Sequence, residues 1–303
     1  MRIALTGATG FVGQAVLDEA MRREDHIRAL TRRAQPNRRH IDWIEGDLSN
    51  SAALASLCHD VDAILHVAGL TNTPDPTEFE DANVGGTQRL LAAAKEKKVK
   101  RLIFVSSLSA REPDLSAYGA SKAKAEKLVE ASSLDWTIVR PPGVYGPRDV
   151  DYFEMFRSAK YGLVPLPPGG ASSIIHVDDL ARLLLDLVDA SPALVRKRTF
   201  EPDDGREGGW SHKELAKEIG KAVGRPVFAP HLPTTILQSA ARIDRIVRGD
   251  KARLTADRVG YMTHPNWVAR SAMKVPDAVW SPRIEGAAGL ASTANWYRDA
   301  GWL

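Results

Sequence analysis

The sequence predicts an α/β fold, a doubly wound parallel sheet with a smaller C-terminal lobe, and three observations predict it. Short apolar runs alternate with stretches of helical period through the first half of the chain. A glycine-rich turn joins the first apolar run to the first helical stretch. Beyond about residue 145 the alternation lapses. Strands that alternate with helices lie parallel, joined by right-handed crossovers, with helices on both faces of the sheet.

Taken in order, residues 2–6 read as a strand and 11–23 as the helix after the turn. Further strands fall at 26–31, 63–67, 101–106 and 136–140, and helices at 51–57, 84–97 and 117–132. Pro165, Pro167, Pro168, Gly169 and Gly170 form a loop that ends any helix near Lys160. A strand at 173–176 and a helix at 178–187 resume the first pattern, so 1–165 form the main domain and 174–200 return to it. Residues 201–303 supply most of the C-terminal lobe. Its loop at 201–209 is acidic and glycine-rich, and Ser211-His212-Lys213-Glu214 is a capping box opening a helix that runs to Val223. Gly224 stops that helix before Pro226. Trp267, Trp280, Trp296 and Trp302 read as the core of the small lobe, where large rings bury the most area. Residues 236–247 form an amphipathic helix that covers a pocket or makes a dimer contact.

Composition excludes several classes. The 303 residues are 44% apolar and 26% charged, and 41 basic against 38 acidic residues leave a formal charge of +3, no field for nucleic acid. One cysteine, Cys58, allows no intrachain disulfide and no metal-ligand cluster, so no metal is expected. It continues a helical apolar pattern and reads as a packed thiol. Apolar residues begin at Ile3, leaving no room for a leader, and no run approaches the roughly 18 residues of a membrane span. A cytoplasmic protein without membrane insertion is expected.

The turn Thr6-Gly7-Ala8-Thr9-Gly10-Phe11-Val12-Gly13 spaces its glycines as G-x-x-G-x-x-G between strand and helix. Gly7 permits the tight turn, Gly10 leaves the backbone open to a pyrophosphate, and Gly13 lets the helix pack closely on the sheet. The helix N-terminus offers unpaired amides to phosphate, so Gly7, Thr9, Gly10, Phe11, Val12 and Gly13 are the expected dinucleotide site. At the end of the second strand an NAD-preferring site carries an acidic residue for the ribose 2′-hydroxyl. Here Arg32 and Arg33 follow Thr31 instead. Guanidinium groups suit a 2′-phosphate, which predicts NADP rather than NAD.

From these residues onward the chain resembles the extended short-chain dehydrogenase/reductases. Besides the turn, the matching motifs are Gly46-Asp47-Leu48, His66-Val67-Ala68-Gly69, Asn83-Val84-Gly85-Gly86-Thr87, Val105-Ser106-Ser107 and Tyr118-Gly119-Ala120-Ser121-Lys122. Arg140-Pro141-Pro142-Gly143-Val144-Tyr145-Gly146-Pro147 and His176-Val177-Asp178-Asp179-Leu180 extend the match to about residue 185. The resemblance implies a Rossmann-type fold with a substrate-binding lobe. It places Asp47 and Leu48 near the adenine, Val67, Ala68 and Gly69 along the nucleotide cleft, and Pro141, Gly143 and Val144 towards the nicotinamide. It also makes Ser107, rather than Ser106 or Ser109, the catalytic serine, and implies a homodimer built through the helices around Leu90 and Tyr118.

The chemistry follows from the residue types. Tyr118 and Lys122 are four apart on one helical face. A phenol titrates too high for acid–base work near neutrality unless a cation stabilises its phenolate, and Lys122 supplies one while also holding the nicotinamide ribose. Ser107 would hydrogen-bond the substrate oxygen, and Tyr118 would pass a proton to it as hydride reaches the carbonyl carbon. Asn83 braces this site or caps its helix. His176 reads as a structural hydrogen-bonding residue. Thr71, Ser109 and Tyr145 head the segments expected to border a substrate, and Phe153, Met155 and Phe156 fit an apolar pocket or the core equally.

Family members that act on nucleotide-sugars commonly carry Arg-x-x-Asn-x-Tyr-Gly-Pro, and Gly143 stands here at the Asn place. The expected function is therefore reduction of a carbonyl, or oxidation of an alcohol, on a small non-nucleotide substrate. The alternatives are a nucleotide-sugar epimerase or dehydratase, and a non-catalytic NADP-binding subunit or sensor.

Overall fold

In the computed structural model, which describes residues 1–303 apart from the side chain of Lys251, the elements follow one another in this order. β1 (Arg2–Thr6), α1 (Phe11–Arg22), β2 (His26–Thr31), β3 (Ile41–Glu45), α2 (Ser51–Leu57) and β4 (Ala63–His66) open the chain. A π-helical turn, Glu80–Gly85, leads into α3 (Gly86–Glu96), then β5 (Arg101–Val105), α4 (Ala117–Glu130) and β6 (Asp135–Val139). Next come β7 (Gly143–Tyr145), α5 (Asp151–Ala159), β8 (Ala171–Ser172), β9 (Ile174–His176), α6 (Val177–Asp189), α7 (Pro192–Val195) and β10 (Arg198–Phe200). The chain ends with β11 (Trp210–Ser211), α8 (His212–Val223), α9 (Thr234–Arg248), α10 (Ala256–Met262), β12 (Asn266–Trp267) and α11 (Gly286–Asp299).

These elements form two units. The first holds Met1–Arg140, Ala181–Phe200 and Val275–Trp280; the second holds Pro141–Leu180, Glu201–Lys274 and Ser281–Leu303. The break thus falls at Arg140 rather than 165, and the return begins at Ala181 rather than 174. The sequence reading placed the break at the proline-rich loop, but packing decides it: residues 143–176 pair and bury their side chains with the later segments.

The first unit is a seven-stranded parallel sheet in the order β3-β2-β1-β4-β5-β6-β10. Successive side chains point to opposite faces, and here both parities are buried. Ala4, Ile64, Leu102, Phe104 and Ile138 pack in one cluster with Leu54 and Leu57 of α2, Leu90 and Ala94 of α3, and Ala125 and Val129 of α4. Ile3, Leu5, Leu65 and Ile103 are equally buried. Cys58 lies in the first cluster, and burial pushes its thiol up to about 12, so it is an inert packed side chain. Strand order reverses between β1 and β4, whose register sets Thr6 beside His66. At such a switch point the carboxyl ends of the strands open a crevice for ligand.

β3 has no counterpart in the sequence reading. Ile41-Asp42-Trp43-Ile44-Glu45 is an edge strand with only Ile41 fully buried, so its alternation is weak. The first turn expected of a helix at 84 is π-helical, widening the backbone where α3 begins.

In the second unit β7 pairs with β9, and β8 lies between β11 and β12. Its core gathers Tyr145, Phe156, Trp210, Leu215, Ile219, Leu290 and Tyr297. Phe153 packs edge-on to Tyr297 and Trp302, and Trp302 stacks on Tyr297, so the ambiguous aromatics at 153 and 156 are core. Trp280, read as part of this lobe, belongs to the first unit, where Arg182 lies over its ring. α11 was not legible because Gly286, Gly289, Thr293 and Ala294 hold four of its buried positions, and only Leu290 and Tyr297 there are large. A Cβ at Gly286 would meet the Trp210 ring at 2.6 Å, so only a glycine admits that contact. Among the described residues no helix is long and apolar enough to cross a membrane.

The capping box forms as the residue types require. Ser211 Oγ accepts from Glu214 N at 3.2 Å, and Glu214 Oε2 accepts from Ser211 N at 3.0 Å. Gly224 closes α8 in the left-handed conformation at φ +80°. We expect Ser211→Ala to lower stability by about 1 kcal/mol in urea titrations, with the unfolding slope unchanged.

Candidate active site

The crevice begins where β1 stops. Gly7 takes φ +75°, and a Cβ there would lie 2.7 Å from Ala68 N, so the turn passes against the end of β4 only because position 7 has no side chain. Gly10 N donates to Gly7 O at 3.0 Å and closes the turn. At Gly13 a Cβ would collide with the Gly7 carbonyl oxygen, which is how α1 comes so near the sheet. Gly10 is the N-cap of α1 and offers no side chain to its first amides. Thr9 and Gly10 are exposed and Phe11 and Val12 partly so, leaving a bare helix N-terminus that fits a pyrophosphate.

Arg32 and Arg33 follow β2 and are exposed, while the Thr31 hydroxyl ties down the backbone of Arg33 at 2.7 Å. At the end of β3, Asp47 Oδ1 accepts from the Ser49 hydroxyl at 2.6 Å and the Ser49 amide at 2.8 Å. Those two bonds hold its carboxyl below the usual range, and Arg32 nearby adds to the effect. Leu48 occupies the space a Cβ on Gly86 would need, and its carbonyl accepts from Arg89 Nε at 2.7 Å.

Behind the turn lies a buried network that the sequence reading passed over. Thr87 Oγ1 donates to Asn83 O at 2.6 Å, so its proton is committed. His66 Nε2, 3.0 Å from that oxygen, must therefore carry the hydrogen and donate. Nδ1 is then the acceptor, and Thr6 Oγ1 at 2.7 Å donates to it while accepting from Ala68 N at 3.1 Å. Both strand ends are joined through one neutral imidazole. Burial, with the Lys122 ammonium nearby, pushes the His66 pKa down to about 3. The available signal was positional: Thr6 and His66 end strands on either side of the switch point.

Ser107 follows β5. Its Oγ accepts from Ser109 N at 3.1 Å as the cap of a short 3₁₀ turn and keeps its proton to donate. Ser106 is buried, and Ser109 is buried with its carbonyl against Gly119, where a Cβ would fall 2.7 Å away. The glycine lets α4 start against this loop, and Ser116 caps α4 through Gly119 N at 2.9 Å. Tyr118 in the first turn is partly exposed, its ring 5.8 Å from that of buried Phe79. One turn on, the buried Lys122 ammonium donates to Val105 O at 2.8 Å and lies 4.5 Å over the Phe104 ring. Burial lowers its pKa to about 8, opposed by Glu126. Glu126 in turn holds Arg140 bidentately at 2.8 and 2.5 Å.

Asn83 is a brace and not a helix cap. Its amide accepts from Leu70 N at 2.7 Å, donates to Leu70 O at 3.0 Å and to Ser121 Oγ at 2.9 Å. Ser121 passes that bond to Tyr118 O at 2.8 Å. A Cβ at Gly69 would lie 3.5 Å from Lys122 Nζ, so the residues after β4, the π turn and α4 meet at this point. Val67, Ala68, Gly69, Asn83, Tyr118 and Lys122 are thus brought together, while Thr71 is exposed on the loop beyond.

Pro141, Gly143 and Val144 fall in the second unit, on or beside β7. Tyr145, expected to border a substrate, is fully buried; its hydroxyl donates to Gly286 O at 3.3 Å, and its ring stands edge-on to His176 at 5.3 Å. It is a core residue because β7 turns that face inward. His176 Nδ1 accepts from Asp178 N at 3.2 Å, the structural role expected of it.

The chain matches the NAD dependent epimerase/dehydratase family over residues 3–201. Similar proteins include the ceramide reductase of Caulobacter vibrioides, 32% identical over 99% of this chain and 96% of that protein. The UDP-glucose 4-epimerase of Vibrio cholerae is 28% identical over 76% of this chain and 78% of its own length. Among solved structures, the UDP-glucose 4-epimerase of Thermus thermophilus in complex with NAD superimposes with a TM-score of 0.72 at 20% identity, over 99% of this chain and all of that one. The chain belongs to the NAD-dependent epimerase/dehydratase family of extended short-chain dehydrogenase/reductases. It is an NAD(P)-dependent oxidoreductase of that type.

The buried imidazole gives a pH dependence. From pH 6.5 downwards the unfolded chain protonates His66, whereas the folded chain resists until about pH 3, so stability falls as pH falls through that interval. In the alkaline range Lys122 acts with the same sign. The folded chain loses its proton near pH 8 and the unfolded chain near 10.5, so its burial penalty is relieved as pH rises between them. In denaturant titrations from pH 7 to 4, His66→Gln should lose less stability than wild type, by a few kcal/mol. Parallel curves for the two proteins would contradict the neutral buried imidazole.

Proposed function

We propose that the protein is an NADP-dependent reductase of a ketone on a non-nucleotide substrate, and that this substrate is a long-chain amphiphile. Gly143 carries the reading. At the place where sugar-nucleotide members of the family carry asparagine, the Tyr152 hydroxyl occupies the space a Cβ would take. Tyr152 is a partly buried ring beside Tyr145, so an asparagine would have to displace a packed aromatic. The amide that would hold a substrate nucleotide is missing, and its space is filled. The near full-length similarity to a ceramide reductase supports the amphiphile.

NADPH, when bound, supplies the hydride. Tyr118 donates its phenolic proton to the carbonyl oxygen, and Lys122 stabilises the phenolate left behind. One ammonium proton is held by Val105 O, which orients Nζ and leaves two for the Tyr118 oxygen and the nicotinamide ribose. Ser107 donates its hydroxyl proton to the same carbonyl oxygen, polarising it and fixing its position. Arg32 and Arg33 pair with the 2′-phosphate, which selects NADP. The runner-up is a nucleotide-sugar epimerase, which the Vibrio cholerae relative favours.

NADPH oxidation should be followed with long-chain sphingoid ketones, short ketones and UDP-glucose. Turnover of a long-chain ketone, with Tyr118→Phe slowed about 100-fold or more, is the expected result. Activity undiminished in Tyr118→Phe would overturn the mechanism, and interconversion of UDP-sugars without net NADPH loss would favour the epimerase. In the active enzyme, Arg32→Ser with Arg33→Ser should raise KM for NADPH about tenfold and leave that for NADH nearly unchanged.

A further inference from the structure

α9 is anchored on one face only. Leu237 and Ala241 pack with Val259 of α10 and with Leu232 and Leu254, a small cluster of its own. A second apolar face is bare. Ile236, Ile243, Ile246 and Val247 are 49, 61, 82 and 74% exposed. Their spacing of seven, ten and eleven residues puts them on one side of the helix, more than a third of a turn from the anchored stripe. Scattered exposed leucines or isoleucines are ordinary on a protein surface, but four bulky aliphatic residues on one face of a 15-residue helix form a patch.

The charge around this patch says what fits it. Residues 234–253 carry Arg242, Arg245, Arg248, Lys251 and Arg253 against Asp244 and Asp250. Arg242 lies beside the bare apolar face, next to Ile246, while Arg248 falls on the side of the anchored stripe and adds to the basic excess of the segment. Asp244 is already engaged, accepting from Arg253 N at 2.8 Å and Leu254 N at 3.0 Å and pairing with Arg248 at 3.2 Å. A second copy laid on this face would bring like charges together, with the acidic partner spent. An anionic lipid surface meets both requirements: phosphates for the arginines, and an acyl boundary for the isoleucines. The same unit exposes Tyr161, Leu163 and Phe228 on bridged segments that run towards α9, side chains that suit an interface.

We infer that α9 is an interfacial helix that docks the protein on anionic lipid bilayers. It lies in the headgroup plane with Ile236, Ile243, Ile246 and Val247 in the acyl boundary, and it does not span the bilayer. This goes beyond the proposed reaction and does not depend on it, since docking needs neither substrate nor cofactor.

The test is co-sedimentation of the purified protein with phosphatidylcholine vesicles, with and without phosphatidylglycerol. Binding to the anionic vesicles, weakened by added salt, is expected. Ile243→Glu with Val247→Glu should reduce it about tenfold or more, and Arg242→Gln about fivefold, with the melting temperature retained. If the double variant loses its melting transition, Ile246→Ser gives the same reading at the most exposed position. Failure of the wild type to sediment with anionic vesicles would overturn the inference, as would equal binding by these variants. A fall in solution mass on mutation, measured by light scattering without lipid, would assign the face to a second copy instead.

Discussion

The crevice depends on how closely two strand ends approach each other. β1 and β4 are neighbours in register up to Thr6 and His66, and the chain leaves each by a backbone path that touches the other at Gly7 and Ala68. That approach buries polar groups at the very place where the sheet must stay open to ligand. The Thr6–His66–Thr87 network resolves the conflict by giving both ring nitrogens and the Ala68 amide a partner. An unpaired polar group at this depth would cost about 1–3 kcal/mol. The imidazole stays neutral, because a charge there would face the Lys122 ammonium in a region closed to water.

Lys122 occupies the other side of the same constraint. Its ammonium is buried, and it is held by a strand carbonyl and an aromatic face rather than by a carboxylate in contact. Glu126 adds attraction along the helix but is itself engaged by Arg140. The ammonium therefore keeps donor capacity beyond its bond to Val105 O, and burial lowers its pKa to about 8. Asn83 sets the position of this group indirectly, tying the residues after β4 to the first turn of α4 through Ser121. This chain of bonds fixes the first turn of α4 and with it the backbone of Tyr118.

The second unit shows a different economy. Its core is aromatic, and α11 meets strands β11 and β7 through glycines, with Gly286 against Trp210 and Gly289 against Tyr145. Packing of this sort leaves few apolar side chains on the helix itself, so the element cannot be read from periodicity. α9 is the converse case. Its period is clear, yet more of its apolar surface faces outward than inward.

The sequence by itself determined the parallel α/β core, the glycine turn, the tyrosine–lysine pair one helical turn apart, and the capping box of α8. Each is a local pattern whose physical cause acts over a few residues: period, φ preference, or a side chain reaching its own backbone. Only the tertiary structure decided which groups those patterns meet. Asn83 became a brace rather than a cap because Leu70 and Ser121 come within its reach, and Tyr145 became core because β7 pairs with β9. His66 gained its single tautomer from hydroxyls 60 residues before it and 21 after it. Contacts between residues so far apart in the chain leave no periodic trace, because they are set by strand order and not by spacing.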